Sequence, residues 1–474
     1  MESSNKLNMQ LSKAILHTIN HETVQVPPAY LFDLPERIIQ FGTGVLLRGL
    51  PDYFIHHANI NNAFNGRVVV VKSTAVGQTD AFDVQDGLFT HCIEGIKDGK
   101  QVQDFFINSS ISRVLAANKE WISILQLAEQ KQINIIFSNV TEAGFVSDIN
   151  DRITDEVPKS FPGKLLALLY KRYVHFNGAL DAGYIILPTE LIPDNGTKLF
   201  EMIKELAMVN QLPVLFIDWL KDANDFCNTL VDRIVPGKLP AERQIQVNKN
   251  LGYDDELMIV SEPYALWAIE SNQPRTKDIL SFANQPGIVV VPSIVKYREL
   301  KLRLLNGTHT FSCAIAHLMG FETVKDAMQH VAFYNYIKKL MHQEIIPCLL
   351  SHDIAFDEAI NFANDVIDRF KNPYLAHRWE SIMVDIHTKM KTRNIPLIEK
   401  FLIQYKTAPT CMALGYAAYI AATGPSVSFP WDHVVDDTKL FEEKVVDYIN
   451  AIKQSGIVIC LEKLTLTKEI IHES

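Results

Sequence analysis

Four short apolar runs, almost without polar alternation, mark the first half of the chain: Ile38-Ile-Gln-Phe41, 68–71, Asn134-Ile-Ile-Phe137 and Tyr184-Ile-Ile-Leu187. Runs of this kind are what a sheet buried on both faces requires. Helical stretches lie between and after them, over 47–59, 120–130, 163–176 and 196–209. Strand and helix in alternation predict a parallel sheet with right-handed crossovers. Past Pro292 the strand signals nearly vanish. Helical periodicities take over at 296–319, 324–341, 356–370, 377–391, 395–406 and 439–453, punctuated by Gly320, Pro347, Pro373, Pro396 and Gly424-Pro425. The expected architecture is therefore α/β: a Rossmann-like, doubly wound domain over 30–290 and a mainly helical domain over 291–474. The segment 424–430 reads as a loop.

Length and composition fit that division. A chain of 474 residues is too long for one ordinary core. A net charge of −10 argues against broad nucleic-acid binding, which needs a basic surface. It also means that an anionic substrate must be met by a locally placed cation. Six cysteines are scattered with no C-x-x-C pair, and there is no H-E-x-x-H, so no metal site is indicated. That usage suits a reducing cytoplasm. The N-terminus lacks a signal-peptide core, and the apolar stretch at 412–422 is too short to span a bilayer. Neither nucleic acid nor membrane is an expected partner, and the oligomeric state is not legible.

Phe41-Gly42-Thr43-Gly44-Val-Leu-Leu-Arg48-Gly49 joins the first strand to the first helix. A dinucleotide pyrophosphate rests at such a junction. Gly42 permits a tight turn and Gly44 a close backbone approach, while Arg48 adds a phosphate-compatible cation. The third glycine of G-x-G-x-x-G is replaced by Leu47, and a purely structural turn is an equal reading. The second strand ends in Lys72-Ser73-Thr74, without the acid that usually bonds the ribose of NAD. NADP therefore stays open. At the end of the third run, Asn139 and Thr141 are placed to contact the nicotinamide ribose, or Thr141 simply caps a turn.

The segment Lys301-Leu-Arg-Leu-Leu-Asn306-Gly-Thr-His309 gathers a candidate general base and two hydrogen-bonding groups. At about 100° per residue, Lys301, His309 and Asn306 fall at roughly 0°, 80° and 140°, on one side of an α-helix. A lysine takes a proton from an alcohol only when its amine is neutral, which burial favours. The plain alternative is an amphipathic helix with its polar side in water.

Together, Gly42-x-Gly44-x3-Arg48, Asn228-Thr-Leu-Val-Asp232-Arg233-Ile and Lys301-x4-Asn306-x2-His309 resemble the long-chain mannitol dehydrogenase family over nearly the whole chain. The segments Phe161-Pro-Gly-Lys164, Glu262-Pro-Tyr-Ala-Leu-Trp267 and Tyr297-Arg-Glu-Leu-Lys301 look most like its sugar-acid branch. The resemblance implies reversible, metal-independent hydride transfer between NAD(H) and a secondary alcohol of a sugar acid. It implies Lys301 as acid/base, Asn228 and Asn306 as donors to the substrate oxygen, and His309 as an orienting group. Where the family tends to carry a glutamate three residues before the lysine, this chain has Arg298. Lys389 is the nearest match to a later substrate lysine. Arg298, Arg378 and Lys389 are candidate partners for a carboxylate, each also readable as an ordinary surface residue. Asp232 and Arg233 read as an internal ion pair, and Glu262 as a capping or cleft residue. Alternatives are a fructuronate or mannitol dehydrogenase of the same family, a metal-dependent alcohol dehydrogenase, and an inactive cofactor-binding regulator.

Overall fold

The computed structural model describes residues 9–73, 80–153, 156–351, 353–424, 429, 431 and 438–466. Thr74 and most of the loop expected over 424–430 lie outside them. The chain forms two compact units: one of residues 1–94 and 102–294, the other of 95–101 and 295–474.

The first unit is built on six parallel strands: β1 (Glu36–Phe41), β2 (Arg67–Lys72), β3 (Ile111–Ala116), β4 (Ile135–Ser138), β5 (Ile185–Pro188) and β6 (Asp225–Phe226). Their spatial order is 3-2-1-4-5-6, the doubly wound arrangement. The apolar runs have a direct packing cause. Ile39, Phe41, Val69, Val71, Ile136 and Ile186 enter one core, while Ile38, Val68, Val70, Ile135, Phe137 and Ile185 enter the other. Both faces are thus apolar. The one polar residue in the β1 run, Gln40, is buried and donates to Asp52 Oδ2 and to the Gly42 carbonyl, each at 3.3 Å.

Helices α1 (Val45–Gly49), α2 (Pro51–Ile60), α3 (Ala117–Leu127), α4 (Phe161–His175) and α5 (Asn195–Val209) accompany this sheet. A second sheet joins β7 (Thr229–Asp232), β8 (Leu266–Glu270) and β9 (Ile288–Val291). A third contains Phe89–Lys97 and Lys100–Asn108, beside Ile259–Ser261.

The second unit is helical. Its elements include α6 (Val295–Leu300), α7 (Thr308–Leu318), α8 (Phe356–Phe370), α9 (Trp379–Met383), α10 (Ile386–Lys389), α11 (Ile395–Tyr405) and α12 (Thr410–Thr423). Among the described residues three π-helical turns interrupt the regular spacing: Lys301–Gly307 between α6 and α7, Leu340–Ile345, and Met390–Asn394 between α10 and α11. The expected single α-helix over 296–319 is therefore an α–π–α run. The wider i→i+5 turn replaces the α spacing from which Lys301, Asn306 and His309 were placed on one side. Among the described residues no helix is long and apolar enough to cross a membrane.

Candidate active site

In the first unit, chain geometry makes a dinucleotide-compatible crevice where the strand order reverses, between β1 and β4. Gly42 has φ +124° and donates its N–H to the Val71 carbonyl at 3.0 Å. A Cβ there would lie 3.0 Å from both the Asn139 carbonyl and Leu47 Cδ1, so only glycine fits. Gly44 caps α1, and a Cβ on it would meet nothing within 4 Å. The space in front of that turn is open. Phe41 takes a different part from the expected one. Its ring is fully buried, edge-on to Phe161 at 5.2 Å, and only its backbone, accepting from the Asn139 N–H, shapes the turn.

A cavity of about 470 Å³ opens here, lined by Gly42, Thr43, Lys72, Asn139, Thr141 and Lys164 among others. Asn139 donates to the Thr189 carbonyl at 3.0 Å, and the Thr141 hydroxyl accepts from the Gly144 N–H at 3.2 Å. The capping role of Thr141 is thus realised, on the wall of the cavity. Glu190 holds this loop from below, accepting from the Val140 N–H and the Ser138 hydroxyl; burial raises its pKa to about 7. Lys159, Ser160 and Lys164 had no assigned role in the sequence. Ser160 caps α4 by accepting from the Gly163 N–H, and Lys164, buried by the fold, donates to the Lys159 carbonyl at 2.7 Å. The available signal was the Phe161-Pro-Gly-Lys164 segment, whose proline at a helix start after serine marks a capped N-terminus. The glycine turn and the open space before it fit a dinucleotide.

Arg48 is corrected. It is buried, donates to the Leu257 carbonyl and faces the rings of Phe82 and Phe89, and it is not on the cavity wall. Burial lowers its pKa to about 10 despite the nearby Asp255 and Asp52. Arg233 is buried among other partners. It donates to the carbonyls of Glu262 and Gly49 at 3.0 and 2.7 Å and lies over the Tyr53 ring. Glu262 is buried and accepts from the Ile234 N–H at 2.6 Å. Asn228 has a structural engagement the sequence did not show. Its Oδ1 accepts from the Thr197 N–H at 3.0 Å, capping α5 from outside, and its Nδ2 donates to Glu270 Oε1 at 3.0 Å. Glu270 Oε2 in turn accepts from the Ile294 N–H at 3.1 Å.

In the second unit, Lys301 and Asn306 share the first π turn, both partly exposed. The Asn306 carbonyl accepts from the Thr310 hydroxyl at 2.9 Å, and its side-chain amide has no partner among the described residues. His309, on α7, is buried and stacked on Phe370 at 4.1 Å, with Nδ1 unpartnered among the described residues. Burial first, then nearby His377, Arg369, Arg393 and Lys389, hold its pKa well below the ordinary value, so the ring is neutral. Lys389 donates to the Ile382 carbonyl at 2.9 Å, and burial lowers its pKa. Arg378 is another of the candidate partners for a carboxylate. It is exposed at the start of α9 and pairs with Glu322 and Glu380 at 3.8 and 3.7 Å. Among the described residues no group of three or more His, Cys, Asp or Glu is placed to hold a metal ion.

Residues 36–280 match the model of the mannitol dehydrogenase Rossmann domain, and residues 293–426 that of the mannitol dehydrogenase C-terminal domain. The altronate oxidoreductase of Bacillus subtilis (strain 168) is 39% identical over 386 residues, covering 81% of this chain and 79% of that protein. That of Shigella flexneri is 37% identical over 388 residues, covering 82% and 80%. Among solved structures, Pseudomonas fluorescens mannitol 2-dehydrogenase in ternary complex with NAD and D-mannitol has a TM-score of 0.69 at 21% identity, covering 97% of this chain and 100% of that one. D-sorbitol dehydrogenase in substrate-free form has a TM-score of 0.78 at 19% identity, covering 95% and 99%. These two likenesses show the fold.

Proposed function

The chain belongs to the mannitol dehydrogenase family, and from that premise we propose that it interconverts tagaturonate and altronate, with NAD(H) as hydride carrier and Lys301 as acid and base. The observation that carries the reading is the π turn Lys301–Gly307, which carries both the Lys301 amine and the Asn306 amide, the latter without a partner among the described residues. The relatives named altronate oxidoreductase support this choice of substrate.

A nicotinamide, when bound, supplies or accepts the hydride. Gly42 and Gly44 let the backbone come close to its pyrophosphate, and Asn139 and Thr141 stand on the wall of the same cavity. In reduction, protonated Lys301 gives its proton to the forming alkoxide; in oxidation, the neutral amine takes the hydroxyl proton. The Asn306 amide donates to the oxygen as negative charge gathers on it. Asn228 has one amide proton beyond its bond to Glu270, and that proton is what it can offer. Neutral His309 presents Nδ1 to a substrate hydroxyl. No step in this scheme needs a metal ion. Lys72, where an acid would bond the ribose of NAD, leaves NADPH as an alternative donor to be measured. The six free, buried cysteines support a reducing, cytoplasmic setting.

Lys301→Ala tests the assignment. Turnover is expected to fall by about 10²–10⁴-fold while NADH affinity, read by fluorescence titration, stays unchanged. Loss of NADH binding would make Lys301 a structural residue, and retained turnover would remove it from proton transfer.

A further inference from the structure

The π turn Met390–Asn394 carries a cation that no carboxylate neutralises among the described residues. Arg393 lies on Met390–Asn394, half-buried, and its guanidinium has one side-chain partner, the Thr310 hydroxyl at 3.4 Å. No carboxylate pairs with it, or with Lys389, among the described residues. Other arginines of this unit are served differently: Arg303 pairs with Glu299 at 3.1 Å, and Arg378 with Glu322 and Glu380. A partly desolvated guanidinium without an anion is costly to keep.

The position of this turn gives the cost a purpose. Arg303, on the Lys301 turn, donates to the backbone carbonyls of Arg393 and Thr392 at 2.6 and 3.3 Å. Asn394 donates back to the Gly307 carbonyl at 3.4 Å. These two π turns are therefore bound to each other, and the element that carries Arg393 is held against the element that carries Lys301 and Asn306. On and directly after these turns, His309 Nδ1, Thr308 Oγ1 and Asn394 Oδ1 are buried and without partners among the described residues. Irregular turns of this type recur at functional sites.

We infer that Arg393 is the specificity-determining residue of the substrate site, its guanidinium binding the terminal carboxylate of a sugar acid, with Lys389 as the second cation. The inference rests on the reading of the Lys301 turn as the reacting site. A guanidinium matches a carboxylate through two parallel N–H···O bonds, which a neutral polyol does not offer. In a chain with a net charge of −10, such a local cation is also what draws an anionic substrate.

The test is calorimetric titration of the NADH-loaded enzyme, where no turnover occurs, with altronate and with its neutral polyol counterpart, altritol. Arg393→Gln is expected to weaken altronate binding by about 10-fold or more and altritol binding by less than about 2-fold. NADH affinity should be unmoved, and Arg393→Lys should restore part of the altronate affinity. Equal weakening of both ligands, unchanged altronate affinity, or no altronate binding by the wild type would each overturn the inference. Arg393-dependent altronate binding without oxidation when NAD is supplied would leave the carboxylate site standing and remove the proposed reaction. Oxidation of altronate with KM unchanged in Arg393→Gln would do the reverse.

Discussion

Gly42 concentrates the cofactor argument in one backbone torsion. At φ +124°, with Asn139 and Leu47 each 3.0 Å from where a Cβ would stand, alanine must displace the turn. Gly42→Ala is expected to cost roughly 1–3 kcal/mol of stability and to weaken NADH binding by about 10-fold or more. Urea unfolding and fluorescence titration read the two effects, and unchanged affinity would detach the turn from the cofactor. This residue was legible because its reason is local: a glycine directly after a strand. Arg48, six residues on, was misread because its surroundings are not local. Phe82, Phe89 and Leu257 come from distant parts of the chain to bury it. Asn228 shows the same limit, since its cap on α5 depends on Thr197, thirty-one residues away.

That cap has an energetic signature at the scale of the element. The side chain of Asp194, at the N-cap of α5, makes no capping bond, and Asn228 accepts from the Thr197 N–H instead. Asn228→Ala should lose about 1–2 kcal/mol, measured by thermal or urea unfolding, with NADH affinity retained. A loss of turnover much beyond that of Asn228→Asp, which keeps the acceptor and removes the amide protons, would show that capping is its main part. The reverse ranking would favour donation to substrate. Element recognition followed burial. The four two-sided central strands were visible as apolar runs. The edge strand β3 was not, because Ser112 and Arg113 break its pattern by reaching Glu36. β6 is only two residues long. The hairpin Phe89–Lys97/Lys100–Asn108 turns at Asp98-Gly99, both at positive φ, a dipeptide signal that the alternation of strands and helices overshadowed. The π turns left no trace, since an apolar helical face tolerates one widened turn without losing its period.

Whole-molecule stability carries a pH dependence of definite sign. Asp52 is fully buried, and burial raises its pKa to about 7 against the opposing effects of Gln40 and Arg48. Glu190 and Glu344 are raised to about 7 for the same reason. A carboxyl of this kind keeps its proton in the folded state where the unfolded chain, near pKa 4, has lost it. Its contribution is intact below about pH 4 and is lost as pH rises through about 7. Asp52→Asn removes one such group, and its urea midpoint should fall less between about pH 5 and about pH 8 than that of the wild type. An equal or steeper fall would mean that Asp52 is ionised in the folded protein. At this scale the division into a doubly wound unit and a helical unit was readable from the change of periodicity after Pro292. The hairpin tip 95–101, which belongs with the helical unit, was not, because it interrupts the first unit in sequence.

The most direct measurement is NADH consumption with tagaturonate, fructuronate and fructose side by side, with and without a strong chelator and with NADPH in parallel. Preference for tagaturonate, unaffected by chelation, is the expected result. Preference for another ketose would keep the lysine chemistry and move the substrate, and activity abolished by the chelator would contradict the metal-independent mechanism. No turnover with any substrate and either nucleotide would contradict the central claim and leave a cofactor-binding protein without the reaction.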